Sequence, residues 1–130
     1  MSDHDLAPGP PLVLVADDDP AIRRLYSRVL SRAGFEAIEA VDGEDAVARL
    51  ATIEVSLVLL DASMPRLDGP GVVRRLRADA ATASLPIILV TGSGAEADRL
   101  QGLQLGADEY LIKPVPIDEL VARVRERARA

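Results

Sequence analysis

Short apolar segments recur along the chain, and three of them are continuous instead of alternating with polar residues. These three segments cover residues 12–16, 57–60 and 86–90. Continuous apolar runs of this length are typical of strands buried on both faces of a parallel sheet. Two weaker segments, at residues 35–40 and 108–113, complete a set of five predicted strands. Glu36 and Glu39 indicate that the second strand lies at an edge or has a partly exposed face.

Apolar residues at helical spacing follow each predicted strand. Asp19 suits the N-cap of the first helix, Pro20 suits its first position, and Gly34 suits the position just after its end. A second helix opens at residues 42–45, and a short third helix is predicted to present three arginines to solvent: Arg74, Arg75 and Arg77. The pattern therefore predicts strict alternation of strands and helices.

The last two helices are predicted from the same spacing. The fourth covers residues 95–105 and contains Gly102, which weakens it by about 1 kcal/mol relative to Ala. The fifth begins at Pro116, and its inner face is expected to hold four apolar residues: Ile117, Leu120, Val121 and Val124.

Five strands that alternate with five helices predict an α/β fold. The strands should form a single doubly wound parallel sheet, with helices on both faces and right-handed crossovers. A chain of 130 residues is long enough for one domain with its own core. We predict a flexible N-terminal tail over residues 1–10 and one folded domain over residues 11–130.

Composition excludes several classes of function. The chain has no cysteine, which excludes disulfides, thiolate catalysis and cysteine-based metal sites. The single histidine, His4, lies in the predicted tail, which argues against a Ser-His-Asp triad or a zinc site. The net charge of −6 argues against direct nucleic-acid binding through a basic surface. Because no apolar run reaches membrane-span length and the start does not resemble a signal peptide, we expect a soluble, cytoplasmic chain.

Four of the predicted strands end in residues that suit one kind of chemistry. The carboxyl ends of parallel strands meet at one edge of a sheet, so these side chains are expected to converge. They are Asp17, Asp18, Asp61, Thr91 and Lys113, the last being the only lysine in the chain. Each alone has a structural explanation, as a helix cap, a turn former or an exposed strand end. Together they favour phosphoryl transfer to a carboxylate.

The reason is electrostatic. Three acidic side chains within a few ångströms repel one another by several kcal/mol in a partly buried site. Either one of them stays protonated or a hard divalent cation binds them, and Mg²⁺ suits carboxylate, carbonyl and water ligands. Lys113 can then neutralise one phosphoryl oxygen and the Thr91 hydroxyl can donate to another, which is most of what phosphoryl transfer requires.

Five motifs strongly resemble, in order and spacing, those of the receiver domains of two-component response regulators. The motifs are LVADDDP at residues 14–20, LLDASMP at 59–65 with DG at 68–69, PIILVT at 86–91, GADEY at 106–110 and KP at 113–114. The resemblance covers about residues 11 to 128. It implies a flavodoxin-like fold with strand order 2-1-3-4-5 and a phosphorylation-dependent signalling function in a two-component system or phosphorelay.

The resemblance also implies roles for the residues at the sheet edge. Asp61 is expected to accept a phosphoryl group from a histidine kinase or a histidine phosphotransfer protein. Mg²⁺ is expected on Asp18, Asp61 and the backbone carbonyl of Ser63, with Asp17 acting mainly through water. Such a chain catalyses only its own phosphorylation and dephosphorylation, and is not otherwise an enzyme.

A switch and a partner surface are implied in the same way. Thr91 and Lys113 are expected to contact the phosphoryl group, Tyr110 to turn inward as the threonine moves, and the Lys113–Pro114 peptide bond to be cis. The helix at residues 95–105, the fifth strand and the last helix form the expected surface for a downstream effector. A homodimer through this face is compatible with the resemblance.

Three alternatives are left open. A Mg²⁺-dependent phosphatase or phosphotransferase with an aspartate nucleophile, acting on free substrates, predicts a substrate pocket and a cap insertion, for which the short connections leave no room. A nucleotide-binding module built on residues 92–94 lacks the third glycine and the downstream acid of the dinucleotide motif. A degenerate receiver is disfavoured by the complete acidic set.

Ser63 and Ser93 occupy positions that tune dephosphorylation in receivers, so the lifetime of the phosphorylated state stays open.

Overall fold

The computed structural model describes residues 9–128 and confirms the predicted α/β fold. Its elements, in chain order, are β1 (Leu12–Ala16), α1 (Pro20–Arg32), β2 (Glu36–Ala40), α2 (Gly43–Leu50), β3 (Leu57–Asp61), α3 (Gly69–Ala78), β4 (Ile87–Thr91), α4 (Gly94–Gly102), β5 (Glu109–Ile112) and α5 (Ile117–Arg127). The predicted tail at residues 1–10 lies outside the described residues, apart from residues 9 and 10. Over residues 9–128, none of the helices combines the length and the apolar character that a membrane crossing requires.

The five strands form one sheet in the order β2-β1-β3-β4-β5, and every neighbouring pair is parallel. The strand order is therefore the predicted one, and β2, with its two glutamates, is an edge strand. The order reverses between β1 and β3, which places their carboxyl ends side by side. In open α/β sheets this is the position at which ligands bind.

Alternate residues of the strands feed two separate cores, one on each face of the sheet. This follows from the two-residue period of a strand. The core that α1 and α5 cover contains, among other side chains, Val13, Val15, Tyr26, Leu30, Leu57, Leu59, Leu120 and Val124. The core that α2, α3 and α4 cover contains Leu14, Val58, Leu60, Ala46, Val72, Val73, Leu76, Leu89 and Leu100. Both faces are covered, which explains why the central strands are continuously apolar.

Polar residues cap four helices where they leave the carboxyl edge of the sheet. Each cap side chain accepts a hydrogen bond from a backbone N–H two or three residues further on, at distances of 2.7 to 3.1 Å. The caps are Asp19, Asp42, Asp68 and Ser93. The predicted N-cap of α1 is thus confirmed, and Gly34 follows α1 with a φ of 98° as expected.

Two helical expectations were wrong. α4 ends at Gly102 and does not continue to residue 105, because the chain turns there through positive φ angles at Gln104 and Gly106. Ile117 is not part of the inner face of α5, since 53% of its surface is exposed. It is the first residue of the helix, four residues before Val121 on the face of α5 that includes the buried Leu120 and Val124.

Arg77 also departs from expectation, because its side chain is only 20% exposed. Its guanidinium donates to the carbonyl oxygens of Leu85 (2.7 Å), Gly106 (2.9 Å) and Thr82 (3.2 Å), and to a carboxylate oxygen of Asp108 (3.1 Å). Arg77 therefore joins α3 to the loops before β4 and β5. No sequence pattern signals these contacts, because three of the four acceptors are backbone carbonyl groups.

Replacing Arg77 by alanine is expected to lower the free energy of unfolding by about 2–3 kcal/mol, because several carbonyl groups lose their donor. Urea denaturation measures this change. The matched control is Arg74→Ala, which removes an exposed arginine of the same helix and should change the stability by less than about 0.5 kcal/mol. Equal effects of the two substitutions would contradict the role assigned to Arg77.

Candidate functional site

Asp61 is the last residue of β3, and 93% of its surface is covered, since only 7% is exposed. The backbone around it is held tightly on two sides. The amide of Ala62 donates to the carbonyl of Val90 on β4 at 2.8 Å. On the other side, a Cβ atom added to Gly69 would lie 2.6 Å from the carbonyl oxygen of Asp61, so the start of α3 packs directly on the end of β3. The position of the Asp61 backbone is therefore set by both neighbours.

Two more carboxylates converge on Asp61. Carboxylate oxygens of Asp17, Asp18 and Asp61 all lie within 4.8 Å of one another. Asp17 is buried, with 2% of its surface exposed, and one of its oxygens accepts the backbone N–H of Asp19 at 2.9 Å. Asp18, by contrast, is exposed to solvent. The structure thus brings together all three predicted acids in a pocket that is open on the side of Asp18.

Lys113 enters this pocket from the end of β5. Its Nζ atom lies 3.2 Å from Oδ1 of Asp61 and 3.3 Å from Oδ2 of Asp17. Burial acts to lower the pKa of Lys113, but the two carboxylates outweigh it and raise the pKa, so the side chain is an ammonium. Its backbone N–H donates to the carbonyl of Thr91 at 2.8 Å, which fixes the end of β5 against β4. The Lys113–Pro114 peptide bond is cis, as expected.

One ammonium does not balance the acidic pocket. Burial and the nearby Asp17 carboxylate raise the pKa of Asp61 to about 6, although Lys113 and the backbone N–H of Ser63 act to lower it. Ionising Asp61 at neutral pH is therefore opposed by its surroundings. The pocket offers only hard oxygen donors, the ligand set that suits a hard divalent cation, and such a cation would relieve this repulsion.

Thr91 ends β4 and is fully buried. Its hydroxyl donates to the carbonyl oxygen of Ser93 at 2.9 Å, and Ser93 is the N-cap of α4. Tyr110 lies on β5, in register with Leu89 of β4, and its half-buried ring packs against the core that α4 covers. Burial raises the pKa of the Tyr110 hydroxyl. Thr91 is therefore linked to α4 by a single side-chain hydrogen bond.

The loop between β3 and α3 presents Ser63 to solvent. The backbone N–H of Ser63 acts to lower the pKa of the Asp61 carboxyl group, although burial and Asp17 raise it overall. No backbone N–H within residues 9–128 donates to the Ser63 carbonyl oxygen. That oxygen is therefore available as a ligand.

Sequence reasoning missed two features of the site. Tyr26 of α1, assigned only to the core, lies close enough for the charges of Lys113, Asp17 and Asp61 to affect its pKa, which burial raises. The second feature is an ion pair between Asp42 and Arg66, described below. The sequence predicted a helix that opens at residues 42–45, but nothing in it pointed to the Asp42 cap or to a partner of Asp42 that lies 24 residues away.

A comparison with known families supports one identification. The model of the response regulator receiver domain matches residues 13–125. The DNA-binding dual master transcriptional regulator RpaA of Synechocystis is 42% identical over 119 residues, which are 92% of this chain and 49% of that protein. The probable transcriptional regulator ycf27 of Cyanophora paradoxa is 44% identical over 117 residues, 90% of this chain and 48% of that protein. The chain thus spans about half the length of these curated relatives.

Solved structures agree with the family match. The receiver domain of the Francisella response regulator 1452 superposes with a TM-score of 0.81 at 34% identity, covering 89% of this chain and 94% of that chain. The chemotaxis protein CheY4 of Vibrio cholerae superposes with a TM-score of 0.84 at 27% identity, covering 92% and 99%. The acidic pocket with its lysine is consistent with signalling through a phosphorylated aspartate. The chain belongs to the response regulator receiver domains, a family of signalling modules and not of catalytic enzymes.

Proposed function

We propose that Asp61 is the residue that accepts the phosphoryl group, and that its phosphorylation changes a partner surface on α4, β5 and α5. The observation that carries this proposal is the position of Asp61. It is a buried carboxylate at the carboxyl edge of the sheet, within reach of two further acids and of the Lys113 ammonium. Burial and the neighbouring Asp17 carboxylate also raise the pKa of Asp61 to about 6.

The reaction joins a carboxylate oxygen of Asp61 to phosphorus while the phosphorus–nitrogen bond of a phosphohistidine breaks. The donor imidazole leaves and takes up a proton from solvent. Asp61 must be ionised to attack, so the environment that raises its pKa to about 6 has to be compensated. Lys113 supplies part of that compensation, because its ammonium already contacts Oδ1 of Asp61.

We propose Mg²⁺ as the ion of the acidic pocket. Asp18, Asp61 and the carbonyl oxygen of Ser63 would hold it directly, and Asp17 would act mainly through water. When bound, the ion supplies positive charge that favours ionised carboxylates and neutralises phosphoryl oxygens. The support is the donor set: three carboxylates within 4.8 Å and a carbonyl without a backbone donor.

Lys113 and Thr91 would bind the oxygens of the transferred group. The Lys113 ammonium lies between the carboxylates of Asp17 and Asp61, so it needs only a small movement to contact a phosphoryl oxygen on Asp61. The Thr91 hydroxyl has a single acceptor, the Ser93 carbonyl, which it would exchange for a phosphoryl oxygen. This exchange would release the first turn of α4, with Tyr110 filling the space behind Thr91.

The proposed partner surface carries unusually exposed apolar side chains. Leu103 just after α4, Ile112 at the end of β5 and Ile117 at the start of α5 are 50%, 47% and 53% exposed. Large exposed apolar side chains that occur together are typical of protein contacts. They support a downstream effector, or a second copy of the chain, at this face.

Receiver membership implies a histidine kinase as phosphodonor, and a histidine phosphotransfer protein is the alternative donor we propose. A groove of about 350 Å³ lies beside Lys113 and is lined mainly by apolar side chains of α1 and of the loop after β5. Ile22, Leu25 and Val115 line it, and they support the docking of the donor next to Asp61.

The relative RpaA is named as a DNA-binding regulator, but the match covers only about half of it. We therefore propose that this acidic domain controls an output through protein contact, not by binding DNA itself.

Incubation with Mg²⁺ and a small phosphodonor such as acetyl phosphate should add one phosphoryl group to Asp61. Intact mass spectrometry and base lability of the adduct measure this, and Asp61→Asn should abolish it. Asp98→Asn, an exposed substitution on α4, is the matched control and should leave the yield unchanged. An adduct of equal yield in Asp61→Asn would contradict the assignment.

The affinity for Mg²⁺ should fall as the pH decreases through about 6, because protonated Asp61 no longer offers a charged ligand. Below that pKa the decrease should approach about tenfold per pH unit. Calorimetric titration between about pH 5 and pH 8 measures the affinity. In Asp61→Asn the decrease in Mg²⁺ affinity near pH 6 should disappear. A decrease that persists in this variant would assign the titration to another group.

Replacing Thr91 by valine should preserve packing and remove the hydroxyl that links the site to α4. We expect the phosphorylation rate to fall by about tenfold, since one hydrogen bond to a charged oxygen contributes about 1.5 kcal/mol. Hydrogen exchange of α4 should change on phosphorylation in the wild-type chain and change little in Thr91→Val. An identical response of α4 in both proteins would refute the proposed link.

A further inference from the structure

We propose that the ion pair between Asp42 and Arg66 positions the loop that follows Asp61, so that Ser63 faces the acidic pocket and completes the metal site. Arg66 is then a positioning residue for phosphorylation, although it contacts no reacting atom. This inference rests on the proposed function, because it concerns the same metal site, and it adds a residue outside the acidic set.

The ion pair is anchored in a buried carboxylate. Asp42, only 4% exposed, caps α2 by accepting the Asp45 N–H at 2.7 Å. The Arg66 Nε donates to the other Asp42 oxygen, Oδ2, also at 2.7 Å. The Asp45 hydrogen bond and then Arg66 lower the pKa of Asp42, so the carboxylate is ionised. Among residues 9–128 this is the only side-chain hydrogen bond that ties residues 62–67 to α2.

The backbone of Arg66 is held in a conformation that its own chemistry disfavours. Its φ angle is 68°, in the left-handed region that residues with a Cβ rarely adopt. The turn around it is tight, since the Leu67 N–H donates to the Pro65 carbonyl at 2.8 Å. A conformation of this kind persists where surrounding contacts hold it, and such conformations cluster at functional sites.

A second contact occurs at the same junction. A Cβ atom on Gly43 would lie 1.9 Å from the carbonyl oxygen of Leu67, so the start of α2 packs against the loop backbone. At its far end the loop is held by the close approach of Gly69 to Asp61. Ala62 and Met64 are buried between these two contacts. Both ends of the exposed stretch around Ser63 are therefore fixed, and the Arg66 side chain holds this stretch to Asp42.

The loop matters because Ser63 serves the site through both its backbone groups. Its N–H acts on the Asp61 carboxyl group and lowers the pKa of that group, and its carbonyl oxygen is the proposed ligand. Both groups reach the pocket only if the loop keeps one conformation. A loosened loop would therefore weaken cation binding, even though removal of a nearby positive charge would by itself strengthen it. A positioning role for Arg66 therefore predicts weaker Mg²⁺ binding when the guanidinium is removed, whereas a simple charge effect predicts tighter binding.

The test compares the Mg²⁺ affinity of five variants by calorimetry, alongside their thermal midpoints: four single substitutions and the double variant that combines Arg66→Gly with Asp42→Asn. Arg66→Gly accepts the positive φ angle but lacks the guanidinium, and Asp42→Asn keeps an acceptor for the α2 cap but lacks the charge. Arg66→Lys should retain most of the affinity. Arg75→Ala is the control. It removes an exposed ion pair with Glu44 that joins α3 to α2 and does not involve the loop that carries Ser63.

We expect Arg66→Gly and Asp42→Asn each to weaken Mg²⁺ binding by about tenfold, the size of effect seen when support for a metal ligand is lost. The double variant should be no weaker than the weaker single variant, since both remove one interaction. The affinity of Arg75→Ala should stay at the wild-type value or rise slightly. Thermal midpoints of Arg66→Gly and the wild-type chain should be similar, because relief of the backbone strain offsets the lost pair.

Affinity in Arg66→Gly equal to or tighter than that of the wild-type chain would overturn the inference. Phosphorylation by acetyl phosphate keeps this failure separate from failure of the proposed function. If the wild-type chain gains no adduct on Asp61, the proposed function is wrong. If the wild-type chain and Arg66→Gly are phosphorylated equally fast and bind Mg²⁺ equally well, only the role of Arg66 is wrong.

Discussion

Repulsion between buried carboxylates is the interaction on which the rest of this structure depends. Asp17 and Asp61 are almost fully covered, and Asp18 adds a third negative charge at the mouth of their pocket. One ammonium, that of Lys113, contacts both buried acids but does not restore an ordinary pKa to Asp61. The pocket therefore keeps an excess of negative charge, which a divalent cation can neutralise, and the same cation can offset the charge that a phosphoryl group adds.

The topology of the sheet and its two cores hold these charged groups close together in spite of their repulsion. Strand order 2-1-3-4-5 places the ends of β1 and β3 side by side, and the cores on both faces keep those ends from separating. Helices that start at the same edge are capped by side chains, and Gly69 allows α3 to begin directly on Asp61. Rigid strands carry the charged groups, whereas a single side-chain hydrogen bond links Thr91 to the first turn of α4. That contrast suits a domain that responds to one added group by a local change.

Much of this could be read from the amino-acid sequence, and the failures share a cause. Strands, helices, caps and the convergence of Asp17, Asp61 and Lys113 followed from local patterns and from the geometry of parallel sheets. Arg77 was wrongly predicted to face solvent, because its acceptors are carbonyl groups of distant loops and no sequence pattern marks them. Ile117 has the spacing of the inner face of α5, but its exposure depends on which parts of the fold cover the first turn of that helix, and spacing does not reveal this.

The sequence by itself determined the element order, the two-sided burial of the sheet and the identity of the acidic set, because these depend on periodicity and on residue type. Only the tertiary structure decided how far apart the charged atoms lie, which of the acids is buried, and how its pKa is shifted. It alone joined Asp42 to Arg66 and Thr91 to Ser93. Distances between residues far apart in sequence, and the desolvation of charge, arise only when the chain is folded, since both depend on what surrounds each group and not on the group itself.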